Sequence, residues 1–463
     1  MASMNSDILT TYNPWWDTGR LPDRYASTVP RDLLPAAISL LGAAKVLEVL
    51  GIRRCGKTVL LHQMIGRLLD SGVDSRAIVY FSADDALLGE ARSLVPDVLA
   101  FHRERVRSSS DGPAYVFIDE VHAVPDWPLL LKRYVDLAEP YAWTVSSSAG
   151  VLLHRGSTES LAGRAWTLRL YPFSLAEYAT CVGSAVAGLA GAAAAMWQGV
   201  DVSAPRELAR RLDELDREAL GHTSELVALA RDYLREGGFP EALSLPATQR
   251  ARYFSETVID RLVLLDVPAI AEIRNPSMMA ALVRRLVALG PTLINVSGIA
   301  RDLETTKVTL SDYLSVIDAA MVDFILDRYA ANVVGRQRGA KKSVPLDSGM
   351  IAAVGGWDMT GPSAPANEGR LAETAVHSWL LRNGSTVDVT HWRDEDREVD
   401  FVVSTPRNVL PIEVKWREGD KTRKLTGLDV FRQRFRTADA LIVTRETFEV
   451  GVDEMRIPLW MLG

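Results

Sequence analysis

The sequence predicts an α/β protein that begins with a parallel sheet and ends with a second, smaller α/β unit. Two observations predict the first sheet. Short apolar runs alternate with helical segments, and acidic or hydroxyl residues follow several of these runs. The third observation is residues 51–58, GIRRCGKT, which match the phosphate-cradling pattern G-x-x-x-x-G-K-[ST] at every defined position. A strand before this stretch and a helix after it are the context that the pattern requires.

Length and composition set the outer limits. A chain of 463 residues is too long for one core, so we expect two to four domains. The net charge of −7 argues against polyanion binding by bulk charge, so any nucleic-acid surface must be a local patch. Two cysteines, Cys55 and Cys181, exclude a disulfide framework and predict a reducing cytoplasm. The longest small-apolar run, 185–196, is shorter than the roughly 20 residues that span a bilayer, so no membrane partner is expected.

The first domain is predicted from its apolar runs. Residues 1–30 form an N-terminal extension in which Asn13, Pro14, Trp15 and Trp16 are an aromatic anchor, and 31–173 form the sheet domain. Expected strands are 44–50, 77–81, 115–120, 143–148 and 165–170, with helices at 30–41, 59–69 and 86–107.

The rest of the chain is predicted in four parts. Residues 174–250 form a helical lid, interrupted by a turn at 236–240, and helical periodicity continues through 251–289. Helices at 297–303 and 308–319 and a strand at 321–329 predict a winged helix within 251–354. Its wing tip would carry Arg336, Arg338, Lys341 and Lys342. A Gly- and Pro-rich linker covers 355–369, and 370–463 form a C-terminal α/β domain with helices at 370–381 and 425–435 and strands at 386–392, 399–403, 410–415 and 440–443.

The glycine stretch predicts an ATP site with Mg²⁺. Backbone N–H groups would surround the phosphates, and the helix that follows would add its positive dipole end. Lys57 would reach the β- and γ-phosphates and Thr58 would ligate Mg²⁺. The nucleotide-contacting residues expected here are Gly51, Arg53, Arg54, Cys55, Gly56, Lys57, Thr58 and Val59.

Three further stretches would complete the site. Asp119 and Glu120 end an apolar strand, where Asp119 would hold the metal and Glu120 would orient the attacking water; two solvated acids that cap a strand are the alternative. Ser146 and Ser147 end a neighbouring strand, where a hydroxyl would contact the γ-phosphate or that water, unless the two only form a strand-end turn. Arg164 would stabilise the developing charge, in cis or from another subunit, with a surface salt bridge as the alternative.

These residues resemble a known family. The chain resembles prokaryotic AAA-type ATPases with a C-terminal domain of unknown function. Six stretches carry this resemblance: the glycine stretch, Phe117–Val121, Ser147–Ser148, 159–164 (ESLAGR), 170–174 (LYPFS) and 233–240 (YLREGGFP). The resemblance covers nearly the whole chain. It implies an ATPase core, a helical lid, a winged-helix segment and a nuclease-like C-terminal fold. One departure is Ser146, where family members usually carry glycine.

The C-terminal domain has its own constellation. Asp400 on one strand and Glu413-Val414-Lys415 on the next resemble the PD-(D/E)xK nuclease superfamily, with Glu373 on a helix nearby. Residues two apart on a strand share a face, so Glu413 and Lys415 project together, and an antiparallel hairpin would bring Asp400 to them. Asp400 and Glu413 would hold Mg²⁺ and Lys415 would position water or phosphate. A structural ion network, or an inert nuclease-like fold, remains the alternative.

Three functions therefore stay open. The first is an Mg²⁺-dependent ATPase of AAA type whose cycle acts on appended, DNA-associated domains. The second is a slow nucleotide-gated binding switch. The third is an ATP-regulated, metal-dependent DNA nuclease. The expected partners are ATP, DNA and further copies of the same chain in a homo-oligomer, of which a hexamer is one form.

Overall fold

The structure is a computed structural model, and it describes residues 4–107, 112–148, 161–270, 273–330, 339–384, 387–416 and 426–463. The chain forms two compact units. The first contains residues 1–170 together with 264–273, and the second contains 171–263 together with 274–463. Each unit is described by itself below.

The first unit is built on a parallel sheet. Its strands in the described residues are β1 Val46–Gly51, β2 Ile78–Ser82, β3 Ala114–Asp119, β4 Tyr141–Ser148 and β5 Ala165–Arg169. They pair in the order β2-β3-β4-β1-β5, every pair parallel, so that the carboxyl ends of β1, β3 and β4 share one edge. The predicted fold class is confirmed: an α/β protein with a parallel P-loop sheet, followed by a further C-terminal sheet.

Helices connect and flank these strands. The α-helices described in this unit are Ser6–Tyr12, Trp15–Thr18, Asp23–Ala26, Leu34–Leu40, Lys57–Asp70, Leu94–Phe101, Trp127–Asp136 and Val267–Ile270, with short 3-10 turns at Ser75–Ala77 and Val121–Ala123 and a π-helix at His102–Val106. The helix predicted for 86–107 is wrong in its first part. It begins only at Leu94, because Asp85 turns the preceding chain by accepting a hydrogen bond from the Leu87 backbone N–H at 2.9 Å.

The second unit begins with helices. Its helical segments up to residue 289 are Leu175–Cys181, Ala187–Trp197, Pro205–Leu208 (3-10), Ala209–Ala219, Thr223–Glu236, Pro240–Leu243, Ala247–Arg252, Tyr253–Asp260 (π), Leu262–Asp266 (π, ending in the first unit) and Pro276–Leu289. The helical run predicted for 251–289 is therefore broken. A new helix starts at Pro276, where the Asn275 side chain caps it by accepting from the Met278 N–H at 3.0 Å.

A helix pair and a small antiparallel sheet follow. The helices are Val296–Asp302 and Lys307–Ala319, and the described strands are β6 Thr292–Leu293, β7 Asp323–Leu326 and β8 Lys342–Pro345, in the order β6-β8-β7. Arg336 and Arg338 of the predicted wing tip lie outside the described residues. Lys341 is exposed and pairs with Asp327 at 2.8 Å. The placement of Lys342 at that tip is wrong, because its side chain lies on β8 and is only 3% exposed.

The C-terminal part is a mixed sheet between helices. A helix spans Ser348–Gly355, and the next runs from Ala364 to Asn383, so it begins inside the stretch 355–369 predicted as a linker. The strands described here are β9 Asp388–Asp394, β10 Arg397–Ser404, β11 Val409–Lys415, β12 Leu441–Thr444, β13 Glu449–Val450 and β14 Met455–Pro458, with a helix at Thr426–Phe435 and a 3-10 turn at Leu459–Leu462. Their order is β13-β14-β12-β11-β10-β9.

The predicted hairpin is present in this sheet. β10 and β11 are antiparallel, with Phe401 opposite Ile412. Trp392, Val399, Val402, Phe431 and Ile442 form part of the apolar core beneath them. Two acids that the sequence pattern selected, Asp400 on β10 and Glu413 on β11, are themselves buried, each 9% exposed.

Candidate nucleotide-binding site

The glycine stretch joins β1 to the helix Lys57–Asp70, and two of its glycines have no space for a side chain. A Cβ on Gly51 would lie 2.5 Å from the Leu170 carbonyl oxygen. Gly56 has φ +101°, and a Cβ there would meet the Arg31 guanidinium at 2.8 Å. Arg54 also takes a left-handed conformation, with φ 70°. The backbone is thus held in the tight turn that a phosphate cradle needs.

Lys57 and Thr58 start the helix and face the acids of β3. The Lys57 ammonium donates to the Gly51 carbonyl at 3.1 Å and lies 3.5 Å from Glu120 Oε1. Burial disfavours its charge, but neighbouring carboxylates, Glu120 foremost, outweigh this and raise the pKa of Lys57. The Thr58 hydroxyl donates to Asp119 Oδ2 at 2.6 Å. The two side chains predicted to hold Mg²⁺ are therefore adjacent, and a hydroxyl with a carboxylate suits that ion.

The hydroxyl strand β4 supports both acids. Ser146 Oγ donates to Asp119 Oδ1 and accepts from the Glu120 backbone N–H at 3.1 Å. Glu120 itself adopts φ 50°, so this contact holds a strained residue in place. Ser147 Oγ lies 3.2 Å from His122 Nδ1, and that nitrogen lies 3.3 Å from Glu120 Oε2. His122 therefore lies between the Ser147 hydroxyl and the Glu120 carboxylate and is close to both.

Three contributors to this site were missed by the sequence analysis, namely His122, Arg31 and Asp266. Arg31 donates to the backbone carbonyl of Cys55, a residue of the glycine loop, at 2.6 Å. Asp266 accepts from Arg53 Nε at 2.8 and 3.0 Å, and its side chain has no exposed surface. Burial raises the pKa of Asp266, an effect opposed by Arg53. No local pattern around Arg31 or Asp266 signals these contacts. Val59 follows in the helix.

Arg164 lies away from these residues. It immediately precedes β5, and its carbonyl accepts from the N–H of Val46 at the start of β1. The phosphate loop follows the other end of β1, one strand length or roughly 17 Å away. Arg164 Nε instead pairs with Asp136 at 2.9 Å. Of the two roles left open, the cis role does not fit this geometry.

The C-terminal acids converge, but around a lysine that the sequence analysis placed elsewhere. The Lys342 ammonium lies 3.0 Å from Glu373, 3.4 Å from Glu398 and 3.6 Å from Asp400. Asp400 Oδ2 accepts from the Val414 N–H at 2.8 Å, which fixes it beside β11. Glu413 pairs with Lys415 at 2.5 Å. Burial raises the pKa of Glu373 to about 7 and, with Asp400 adding to it, that of Glu413 to about 8.

The described residues also bear on the predicted metal and membrane partners. They contain no group of three or more His, Cys, Asp or Glu side chains placed to hold a metal ion. Nor does any of the described helices have the length and apolar character needed to cross a membrane.

Family models match three consecutive regions of the chain. Residues 43–179 match a AAA domain, 227–361 a domain of unknown function (DUF8612) and 368–462 a domain of unknown function (DUF4143). Two relatives are similar over most of their length. An uncharacterized protein of Haemophilus influenzae is 22% identical over 89% of this chain and 93% of its own. A second, from Methanocaldococcus jannaschii, is 21% identical over 82% of this chain and 77% of its own.

Solved structures give weaker likenesses. A Walker-type ATPase of Pyrococcus abyssi shares 15% identity with a TM-score of 0.41, covering 72% of this chain and 97% of that one. AMPPCP-bound DnaA from Aquifex aeolicus shares 13% identity with a TM-score of 0.26, covering 64% of this chain and 92% of that one. The sheet, the glycine loop and the family match fall in one region: residues 43–179 match a AAA domain and have a fold like that of a P-loop ATPase.

Proposed function

We propose that this chain is an Mg²⁺-dependent ATPase of AAA type. The observation that carries the proposal is the convergence of Lys57, Thr58, Asp119 and Glu120 at one edge of the parallel sheet. The Lys57–Glu120 and Thr58–Asp119 contacts of 3.5 and 2.6 Å link the loop to the acids. A glycine loop alone would not require these acids, because they come from another strand.

Each residue then has a stated task. The loop N–H groups and the helix start bind the phosphates, and Lys57 exchanges its Gly51 contact for a phosphate oxygen. Thr58 and Asp119 hold Mg²⁺, which supplies positive charge to the phosphates when bound. Glu120 accepts from the attacking water and orients it, with His122 and Ser147 fixing the position of its carboxylate. Arg53 and Arg31 maintain the shape of the loop through Asp266 and Cys55.

Arg164 completes the site from another subunit in this proposal. Its distance from the loop of its own chain supports a trans role, and the resemblance to AAA-type ATPases implies the same. The homo-oligomer, with a hexamer as one form, is therefore part of the proposal. The unpaired cysteines, one of them buried, support a reducing, cytoplasmic location.

We also propose that the domains that follow the ATPase core bind DNA. Support comes from the helix pair and hairpin between 292 and 345, the arrangement of a winged helix. The surface available to DNA is smaller than the sequence predicts, because Lys342 is buried and the second helix carries Asp312 and Asp318. We therefore propose a weak backbone contact rather than base recognition.

The test compares two variants of the ATP site. Lys57→Ala removes a phosphate contact, so both ATP binding and hydrolysis should fall. Glu120→Gln keeps the shape but loses the water-orienting charge, so ATP should bind while hydrolysis drops at least a hundredfold. Lys45→Ala is the matched control, because this exposed lysine lies before the opposite end of β1.

Binding is measured with a fluorescent ATP analogue and hydrolysis by phosphate release. Normal hydrolysis by Glu120→Gln would refute the assignment of the water-orienting acid. ATP turnover is also measured with and without duplex DNA. This comparison distinguishes a motor, an ATPase whose cycle acts on DNA-associated domains, from a slow nucleotide-gated switch. A motor is accelerated by DNA, whereas a slow switch binds ATP with a turnover that DNA leaves unchanged.

A further inference from the structure

Lys342 occupies the centre of the carboxylate cluster in the second unit. Its ammonium lies within 3.0 to 3.6 Å of oxygens on Glu373, Glu398 and Asp400. The ammonium also lies over the Phe401 ring, 5.3 Å from the ring centre. β8 supplies this lysine, while the carboxylates come from the helix Ala364–Asn383 and from β10. The cation is thus built into the fold by a strand from outside the C-terminal sheet.

The cluster as arranged does not fit a divalent ion. Mg²⁺ takes oxygen ligands at about 2.1 Å, closer than the ammonium contacts here. A metal bound by Asp400 would lie beside the Lys342 ammonium, which already contacts Asp400 and Glu373, and two cations repel each other at that position. We propose that Lys342 takes the place of the divalent ion, so that the C-terminal domain carries an internal cation where a nuclease-like fold would carry a metal.

The remaining charges show that the cluster needs a cation. Glu373, Glu398, Asp400 and Glu413 bring four carboxylates, and one oxygen of Glu413 is buried without a hydrogen-bond partner among the described residues. Lys415 pairs with Glu413, and Arg393 with Glu398 at 3.2 Å, so Glu373 and Asp400 depend on Lys342. Burying such charges without a counter-charge is costly. Removing Lys342 should therefore create a vacancy for another cation.

This inference also bears on the nuclease alternative. Cleavage by Asp400, Glu413 and Lys415 would require β8 to withdraw its lysine from the cluster before any metal could enter. The proposal is independent of the ATPase, since every residue that it uses lies in the second unit.

Mn²⁺ binding by the full chain tests the proposal. Free Mn²⁺ is followed by electron paramagnetic resonance in nucleotide-free protein carrying Asp119→Asn, which removes the acid of the ATP site. This parent should show no Mn²⁺ site that depends on Asp400. Lys342→Met should gain one site, at least tenfold tighter than any in the parent, and Lys342→Met with Asp400→Asn should lose it. Lys341→Met, the exposed neighbour, should behave like the parent.

Three results would overturn the proposal. One is a parent protein that binds Mn²⁺ with a dependence on Asp400. Another is a folded Lys342→Met protein that gains no site, and the third concerns a variant that does not fold without metal. If Lys342→Met is unfolded in the presence of a chelator, its thermal melting is measured with and without Mn²⁺. A ligand that binds only the native state stabilises that state. Mn²⁺ should then restore folding of Lys342→Met, and failure to restore it counts against the proposal equally.

Discussion

At the scale of single residues, Ser146 links the two acids of the proposed ATP site. The sequence analysis named it with Ser147 as a strand-end hydroxyl and noted it as a departure from a family glycine. In the structure its hydroxyl contacts the Asp119 carboxylate and the backbone of Glu120, whose φ of 50° is unfavourable for a glutamate. The serine thus positions both acids, a task that a glycine could not perform.

Ser146→Ala should slow hydrolysis without preventing ATP binding. Losing a hydrogen bond to an ionised group costs about 1.5–3 kcal/mol, which corresponds to roughly a tenfold to hundredfold lower kcat. We expect the KM for ATP to change less than about threefold, because Lys57 and the loop are untouched. Steady-state phosphate release measures both constants.

Thr144→Val is the matched control for this variant. Thr144 lies two residues earlier on β4, is fully buried, and its hydroxyl has no hydrogen-bond partner in the described structure. Removing that hydroxyl should leave kcat unchanged. Equal losses in both variants would mean that strand packing, and not the contact to the acids, explains the effect.

Sequence patterns located the residues whose role depends on local spacing and missed those whose partners are distant. Lys57 and Thr58 belong to a contiguous motif, and Asp119 ends an apolar run. Asp266 pairs with Arg53 across 213 residues, and no neighbour of Asp266 in the sequence signals this. Lys342 was placed on a wing tip because Lys341 and nearby arginines are basic, yet Lys341 precedes β8 whereas Lys342 is the first residue of this strand, whose four residues are all buried.

At the scale of elements, the N-terminal extension covers the edge of the parallel sheet. β2 is an outer strand, and unpaired edges invite association with other chains. Asn13 pairs with Tyr80 of β2 as a strand would, donating to its carbonyl at 2.8 Å and accepting from its N–H at 2.7 Å. Trp15 and Trp16 both donate to the Ile78 carbonyl, at 3.2 and 2.7 Å.

Asn13→Ala should therefore destabilise the first unit. The buried N–H and carbonyl of Tyr80 lose their partner, which costs about 1–3 kcal/mol in the free energy of unfolding. Urea unfolding followed by tryptophan fluorescence reports on this unit through Trp15 and Trp16. Thr10→Ala, an exposed change in the preceding helix, should shift stability by less than about 0.5 kcal/mol. Comparable losses in the two variants would argue against edge capping.

Strands were easier to predict than helix boundaries. All five predicted strands of the first sheet occur, because buried parallel strands are continuous apolar runs. The helix boundaries at 86–107 and 251–289 were wrong, since side chains of Asp85 and Asn275 end or restart helices through hydrogen bonds that apolar spacing does not reveal.

At the scale of the whole molecule, the proposed assembly depends on Arg164. It lies at the edge of the sheet opposite the phosphate loop and is about one-third exposed. Mixing inactive Arg164→Ala and inactive Lys57→Ala proteins should therefore restore part of the ATPase activity, through interfaces that pair an intact Arg164 with an intact Lys57. Phosphate release from the mixture measures the recovery.

Light scattering of the same samples gives the oligomeric state. Lys57→Ala mixed with wild-type protein serves as the reference for interface exchange. A monomer with no recovery on mixing would remove the trans role of Arg164 and leave its pair with Asp136 as a surface salt bridge.

The contribution of residues 264–273 to the first unit has a consequence for synthesis on the ribosome. The AAA domain match ends at residue 179, but the carboxylate that pairs with Arg53 of its phosphate loop is translated much later. The nascent first unit therefore holds Arg53 without this partner while the helices from Leu175 to Asp260 emerge. A translation product released before residue 266 would contain the whole glycine motif without the carboxylate that pairs with its loop.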